Sequence, residues 1–264
     1  MDLGLKGKSV IVTGGGSNIG RAIVLTFAEE GANITVGEID VDQGEKVAAA
    51  ARKKSVQVQV VKTDVRKLSD VQKLVKAAKD KFGSVDALVN NVGWDELHYF
   101  VETGPEFWDK VINLNYISVL NCTKAVLEVM IPQQSGAIVS LSSDASRMGE
   151  MREAVYGGVK AAVNSFMKTI ARENGRYGIR ANAVCPGMTI PDSQDDVGKL
   201  SMWKQDVPMW SEETLAKVAK AYPLKKIGKP QDLANAIVFL ASGKAAGHIT
   251  GQVLSVSGGY SMVG

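Results

Sequence analysis

The chain has 264 residues, 45% of them hydrophobic and 22% charged, with a formal net charge of +3. That balance predicts one large globular domain with a sizeable core, and so small and scattered a positive excess argues against nucleic-acid binding. Cys122, Cys185, His98 and His248 are isolated from one another, so no metal site is expected. The N-terminal MDLGLKGKSV lacks the apolar stretch of a signal peptide, and no apolar run approaches the length of a membrane span. The expectation is a soluble, cytoplasmic protein with reduced thiols.

Strand-like and helix-like segments alternate from end to end. The β-branched run KSVIVTG (8–14) leads through glycines into IGRAIVLTFAEEG (19–31), whose apolar spacing is helical. ANITVGEID (32–40) reads as strand, DQGEKVAAAARKK (42–54) as helix and VQVQVVKTD (56–64) as strand. LSDVQKLVKAAKDKFG (68–83) is a helix with a Ser-x-x cap-like start and a glycine stop, and VDALVNNVG (85–93) is a buried strand. A long helix over 105–130 has Pro105 in its first turn. Then come a strand at 136–143, a helix at 153–178, a strand at 179–187, a helix at 230–242 and a strand at 252–259. Short connections of this order predict one Rossmann-like, doubly wound parallel α/β sheet of seven strands, helices on both faces, in a single domain. Residues 188–229, rich in Met, Trp and Pro, break the rhythm and read as a substrate loop or lid.

The turn TGGGSNIG (13–20) joins the first strand to the first helix, where backbone N–H groups and a helix N-terminus suit a pyrophosphate. It does not fit G-x-G-x-x-G, because Ile19 falls in the third glycine place. Eighteen residues beyond Gly20, Glu38 ends the second strand, where an acid accepts both ribose hydroxyls and repels a 2′-phosphate. No Lys or Arg directly follows it, which favours NAD over NADP; Asp40 is the competing acid. Tyr156 and Lys160 stand one helical turn apart, a spacing that alone fits either a base with its cation or a plain helix face. Gly157 and Gly158 between them disfavour helix by about 1 kcal/mol each relative to Ala.

Taken together, TGGGSNIG, NNVG (90–93), Asn115, SLSS ending at Ser143, Tyr156-x-x-x-Lys160 and PGMT (186–189) resemble the short-chain dehydrogenase/reductase family over essentially the whole chain. The thirteen-residue interval to Tyr156 selects Ser143 over Ser142. Two places depart from the family pattern: Asn18 replaces the middle glycine of T-G-x-x-x-G-x-G, and Val92 replaces the alanine of N-N-A-G. Asn tolerates left-handed backbone better than other non-glycine residues. NNVGWD (90–95), SSDASRMG (142–149) and ITGQVLSVSGGYSMVG (249–264) also resemble 2-hydroxycyclohexanecarboxyl-CoA dehydrogenases and related hydroxyacyl-CoA dehydrogenases of alicyclic and aromatic acid breakdown, the benzylsuccinyl-CoA branch included.

The resemblance implies an NAD-dependent enzyme interconverting a 3-hydroxyacyl-CoA and its 3-oxo form, with a cyclic or aryl acyl group. Tyr156 would be the proton acceptor, with its pKa lowered by Lys160, and Ser143 would hold the substrate oxygen. Asn115 would help hold a relay water. The cofactor would lie on Gly14, Ser17, Asn18, Ile19 and Gly20, with Glu38 at the ribose and Asp64 and Val65 at the adenine. Asn91, Gly93, Tyr156, Lys160, Pro186, Gly187 and Thr189 would serve the nicotinamide half. For the substrate, Trp94, Asp144, Arg147, Met148, Trp203 and Trp210 are candidates, with Arg147, Arg152, Lys199 and Lys204 available to a carboxylate or to coenzyme A phosphates. A homotetramer burying the faces of the helices at 105–130 and 153–178 is also implied. The rivals are a 3-oxoacyl-carrier-protein reductase or secondary-alcohol dehydrogenase of the same fold, and a silent NAD-binding subunit.

Overall fold

The structure, a computed structural model, describes residues 1–204 and 210–263. Its strands are β1 (Ser9–Thr13), β2 (Asn33–Glu38), β3 (Val58–Lys62), β4 (Ala87–Asn90), β5 (Gly136–Leu141), β6 (Ile179–Pro186) and β7 (Val253–Val256). They form one sheet in the order β3-β2-β1-β4-β5-β6-β7, and every neighbouring pair is parallel. The chain builds outward from β1 to β3, then returns to the centre and builds β4 to β7 on the other side. The strand order therefore reverses between β1 and β4, and the loops leaving their C-terminal ends bound the crevice where such sheets take ligands.

Period-two alternation splits the core. Val10, Val12, Ile34 and Val36 face α1 (Asn18–Glu29), α2 (Val41–Arg52) and α9 (Pro230–Ala241), with Ile23, Phe27, Leu233 and Ile237 fully buried against them. Ile11, Leu88 and Ile138 face the other way, onto α3 (Leu68–Phe82), α5 (Ser118–Gln133) and α7 (Ala154–Asn174), where Leu74, Val126 and Met167 are buried. The remaining helices are α4 (Pro105–Ile112), α6 (Ala145–Met148) and α8 (Glu212–Ala221).

Several expected boundaries shift for local reasons. α3 starts at Leu68 with Lys67 as its cap, so Ser69 lies inside the helix and caps nothing. β7 stops at Val256 because Gly258 and Gly259 adopt positive φ. α7 ends at Asn174 and a short 3₁₀ turn carries the chain to Gly178, whose φ of 69° turns it into β6. The helix expected at 105–130 runs to Gln133, with a π turn at Asn113–Ile117 between α4 and α5. Contrary to the reading of its sequence, this rod is long and apolar enough by composition to cross a membrane; in the fold, Val119, Cys122, Val126 and Met130 pack on the sheet.

The excursion at 188–229 is closed at its base. Thr189 and Gly228 form an isolated parallel bridge, and Gly228 N–H donates to the Met188 carbonyl at 3.0 Å. Val197 and Tyr222 are its buried anchors. Residues 205–209, part of the expected lid, lie outside the described residues.

Candidate active site

The glycine turn is bolted in place by side chains from three neighbouring segments. Asn91, just past β4, donates through Nδ2 to the carbonyls of Thr13 and Gly14 at 3.1 and 2.9 Å. Gln43 on α2 donates to the Gly16 carbonyl, and Glu38 accepts from Gly16 N–H, both at 2.9 Å. At Gly20 a Cβ would lie 2.0 Å from the Gly14 carbonyl oxygen, so the turn tolerates only glycine there. Asn18 sits at φ 46°, the left-handed conformation its place requires, and its Oδ1 is buried without a partner among the described residues. Ser17, the N-cap of α1, leaves the first-turn N–H groups uncapped. Its hydroxyl instead accepts from Gly198 N–H at 2.8 Å, while Arg21 pairs with Asp196 at 3.0 Å, so the 188–229 excursion reaches down onto the turn. Open helix N–H donors and a shaved backbone fit the pyrophosphate of a dinucleotide.

Glu38 also accepts from the N–H groups of Ile39 and Asp40, at 2.9 and 3.3 Å. Burial raises its pKa, and these three N–H groups oppose that rise. Asp40 instead caps α2 by accepting from Gln43 N–H, which separates the two competing acids by role. Asp64 is held by both arms of Arg66 at 2.8 Å, which lowers its pKa, and the carbonyl of buried Val65 accepts from Asn121. On the far side, Gly187 packs on Ser257, and Thr189 donates to the Gly187 carbonyl at 3.1 Å.

Ser143, Tyr156, Lys160 and Asn115 converge beyond the ends of β4 and β5. The Ser143 hydroxyl lies on the Tyr156 phenol side, where it works to lower the phenol pKa, and it accepts from Ala145 N–H at 3.2 Å. Ser142 has a different duty, since its hydroxyl donates to the Lys160 carbonyl at 3.0 Å and pins α7. Lys160 is 2% exposed and donates to the Leu141 carbonyl at 3.0 Å, with its Nζ 5.5 Å from the Tyr156 ring centre. Asn115 is buried in the π turn. It donates to the carbonyls of Val111 and Trp94 at 2.8 and 2.7 Å, and accepts from Trp94 N–H at 3.2 Å. The extra residue of a π turn frees a backbone carbonyl for such use. Gly93 lies so close that a Cβ would meet Asn115 Oδ1 at 2.9 Å and Lys160 Nζ at 3.3 Å.

The electrostatics correct one expectation. In the protein alone the phenol is not lowered: burial, and then the charges of Glu153 and Asp95, push the Tyr156 pKa up. Burial also pulls Lys160 down to about 8. Gly157 and Gly158 differ as well. A Cβ on Gly157 would come within 3.0 Å of the Ala145 carbonyl oxygen of α6, whereas Gly158 has nothing within 4 Å.

Residues 14–261 match the family model described as Enoyl-(Acyl carrier protein) reductase. The chain is 37% identical over 256 residues to a 3-oxoacyl-[acyl-carrier-protein] reductase of Staphylococcus epidermidis, covering 97% of this chain and 99% of that one. It is 33% identical over 263 residues to an acetoacetyl-CoA reductase of Synechocystis, covering 98% and 99%. A solved structure from Sinorhizobium meliloti, provisionally named a short-chain alcohol dehydrogenase, superposes with a TM-score of 0.87 at 27% identity, covering 98% of both chains. The chain belongs to the short-chain dehydrogenase/reductase family.

Within this short-chain dehydrogenase the substrate side departs from expectation. The hollow beside Tyr156, a cavity of about 10 Å³, is lined by Asp95, His98, Phe100, Phe107, Arg152 and Glu153 among others. Phe107 meets Trp94 edge-on at 5.9 Å and His98 at 5.5 Å, and Phe100 stacks on Trp108 at 5.7 Å. Of the expected substrate residues, Trp94 thus supports this wall, and the Lys110 ammonium lies 3.4 Å from its ring centre. Asp144 is turned away, its buried carboxylate accepting from Ser255 at 2.6 and 2.8 Å. Arg147 is spent on the carbonyls of Val253 and Val263, and Met148 is exposed on α6. Trp203 and Trp210 are half-buried within the excursion and do not line the hollow. Arg152 is at the rim, donating to the Leu97 carbonyl at 2.6 Å, while Lys199 and Lys204 are exposed. His98, Phe100 and Phe107 were missed because each is an ordinary residue in a connection or on a helix. Only the fold brings them beside Tyr156.

Proposed function

We propose that this short-chain dehydrogenase is an NAD(H)-dependent oxidoreductase interconverting a 3-hydroxyacyl thioester, most suitably a CoA thioester with a ring in its acyl part, and the 3-oxoacyl thioester. The observation that carries the reading is the convergence of Ser143, Tyr156 and Lys160 beside a hollow walled by aromatic rings. The names of the two relatives, a 3-oxoacyl-[acyl-carrier-protein] reductase and an acetoacetyl-CoA reductase, support a 3-oxoacyl thioester. The wall of Phe107, Phe100 and His98, backed by Trp94, suits a cyclic or aryl group. Glu38 supports NAD: its carboxylate is fixed against the glycine turn, where a 2′-phosphate would meet a half-buried negative charge.

Residues 14–20 and Glu38 would hold the adenosine and pyrophosphate, with Gly93, Tyr156, Lys160 and Gly187 on the nicotinamide side. When bound, the cofactor supplies the hydride acceptor or donor. In the oxidative direction Ser143 donates to the substrate oxygen as it becomes a carbonyl, and Tyr156 takes the hydroxyl proton. Lys160, one helical turn from Tyr156, favours the phenolate and opposes the burial that raises the phenol in the protein alone. Asn115 fixes the backbone of Trp94 and so the strand end that carries Gly93. A cytoplasmic homotetramer belongs to the same proposal.

A spectrophotometric assay at 340 nm with cyclic, aryl and straight-chain 3-hydroxyacyl-CoA thioesters, each with NAD and NADP, tests the reading. The expected result is fastest turnover of ring-bearing thioesters with NAD. Turnover of carrier-protein thioesters with NADPH alone would establish the carrier-protein reductase instead, and no turnover of any alcohol would favour a silent subunit.

A further inference from the structure

The hollow beside Tyr156 contains two carboxyl groups that the reaction does not use. Asp95 follows Trp94 on the loop leaving β4 and is 7% exposed. Its Oδ2 is buried with no hydrogen-bond partner among the described residues, although the residue lines the hollow. Glu153 is the N-cap residue of α7, three positions ahead of Tyr156, and lines the same hollow. A buried carboxylate oxygen left unpaired costs more than almost any other polar defect in a core. Two acids sharing one small space repel each other, and each raises the other's affinity for a proton. Such an arrangement persists where a ligand completes it.

The surrounding charges do not neutralise the pair from within. His98 is half-exposed, with its Nε2 3.1 Å from the Glu96 carboxylate. Arg152 is exposed, donates to the Leu97 carbonyl and leans over the Tyr99 ring at 5.7 Å. Glu150 accepts from the Tyr260 hydroxyl at 2.6 Å and adds a third negative group behind Glu153. Lys160 is the buried cation on the Tyr156 side and is tied to the Leu141 carbonyl.

We propose that Asp95 and Glu153 are specificity-determining residues, which accept a hydrogen bond from an uncharged donor on the acyl group and exclude acyl groups that carry a carboxylate. The pair deepens the thioester reading and rests on it for the identity of the substrate. Burial raises Asp95 to about 6, and burial with the charges of Asp95 and Glu150 raises Glu153 to about 7, so near neutrality the wall retains net negative charge while keeping part of its proton complement. A carboxamide can donate to Asp95 Oδ2. A carboxylate of the same shape cannot, and meets like charge in a site with little water.

The test compares 3-hydroxyglutaryl-CoA with its isosteric terminal amide. The wild-type enzyme should show kcat/KM at least tenfold higher for the amide at pH 7.5. Asp95→Asn should shrink that ratio by tenfold or more and Glu153→Gln by about threefold, with the ratio in the wild type also narrowing at pH 5.5. Loss of packing alone lowers both substrates together and leaves the ratio fixed, so an unchanged ratio in both variants overturns the proposal, as does a wild-type preference for the carboxylate. If Asp95→Asn does not fold, Glu153→Gln carries the decision. If the wild type ignores both thioesters but oxidises simple secondary alcohols, the thioester reading fails. The pair is then judged by the same ratio on 4-hydroxypentanamide and 4-hydroxypentanoate.

Discussion

The two walls of the site are built on opposite principles. On the cofactor side most of the polar side chains are tied down within the chain: Asn91, Gln43 and Glu38 each hold the backbone of the glycine turn, with Asn18 Oδ1 the exception. On the proposed acyl side, rings pack beside two acids, one with an oxygen that nothing among the described residues satisfies. The first wall is preorganised to meet one invariant molecule. The second is left incomplete, and the substrate has to finish it. Rigidity marks what the enzyme always binds, and deficiency marks what it selects.

The comparison can be broken most decisively where the walls meet. Tyr156→Phe should cut kcat by about 10²–10⁴-fold, while NADH binding, followed by quenching of Trp fluorescence, stays near wild type. Unchanged turnover would remove the phenol from the chemistry. Next in size, Glu38→Ala should lower the ratio of kcat/KM for NAD over NADP by about tenfold or more, roughly 1.4 kcal/mol, with little change in KM for the acyl substrate. A fixed ratio would mean that the carboxylate only staples Gly16. Asn91→Ala removes two hydrogen bonds to the turn, and a cost of about 1–3 kcal/mol should appear as weaker cofactor binding and a lower Tm, without a change in acyl preference.

The glycine pair gives a smaller effect. Gly157→Ala presses on the Ala145 carbonyl and should lower Tm, whereas Gly158→Ala meets nothing and should be neutral or gain up to about 1 kcal/mol of helix propensity. Equal melting shifts would deny the close packing of α6 on α7. Smallest is a pH effect on stability. Asp95 and Glu153 have pKa values raised to about 6 and about 7 in the fold. The stability tied to their protons is full below about pH 4 and is lost as pH rises through 6 to 7. Between pH 5 and 8, the Tm of Asp95→Asn should therefore improve relative to wild type. A difference independent of pH would argue that Asp95 is ionised throughout.

The cofactor wall was largely legible in the sequence, because it is local. A glycine turn at the end of one strand, an acid at the end of the next and an asparagine pair after β4 are short signals tied to backbone geometry. The sheet followed from periodicity in the same way, apart from strand and helix ends governed by single residues such as Gly178 and Lys67. The acyl wall was legible only in part. Trp94 was within reach because it adjoins the NNVG turn, but His98, Phe100 and Phe107 carry no pattern of their own. Asp144, Arg147 and Met148 were misplaced because proximity to Ser143 along the chain says nothing of direction. The chain after Ser143 turns through α6, sending Asp144 toward Ser255 and Arg147 toward the C-terminal strand. The pKa of Tyr156 was misjudged for a similar reason: the spacing to Lys160 was visible, whereas the burial and the neighbouring acids were not.

The π turn at Asn113–Ile117 amounts to a single inserted residue. In an unbroken α-helix, one added residue rotates everything downstream by about 100°. The rod from Pro105 to Gln133 therefore behaves as two differently clocked helices sharing one axis. The upstream part turns Phe107 to the hollow, and the downstream part lays Val119, Cys122, Val126 and Met130 on the sheet. Length is thus under tighter constraint here than identity. Many side chains along this rod could be exchanged with local effects, but deleting one residue at the turn would change the phase between catalysis and core.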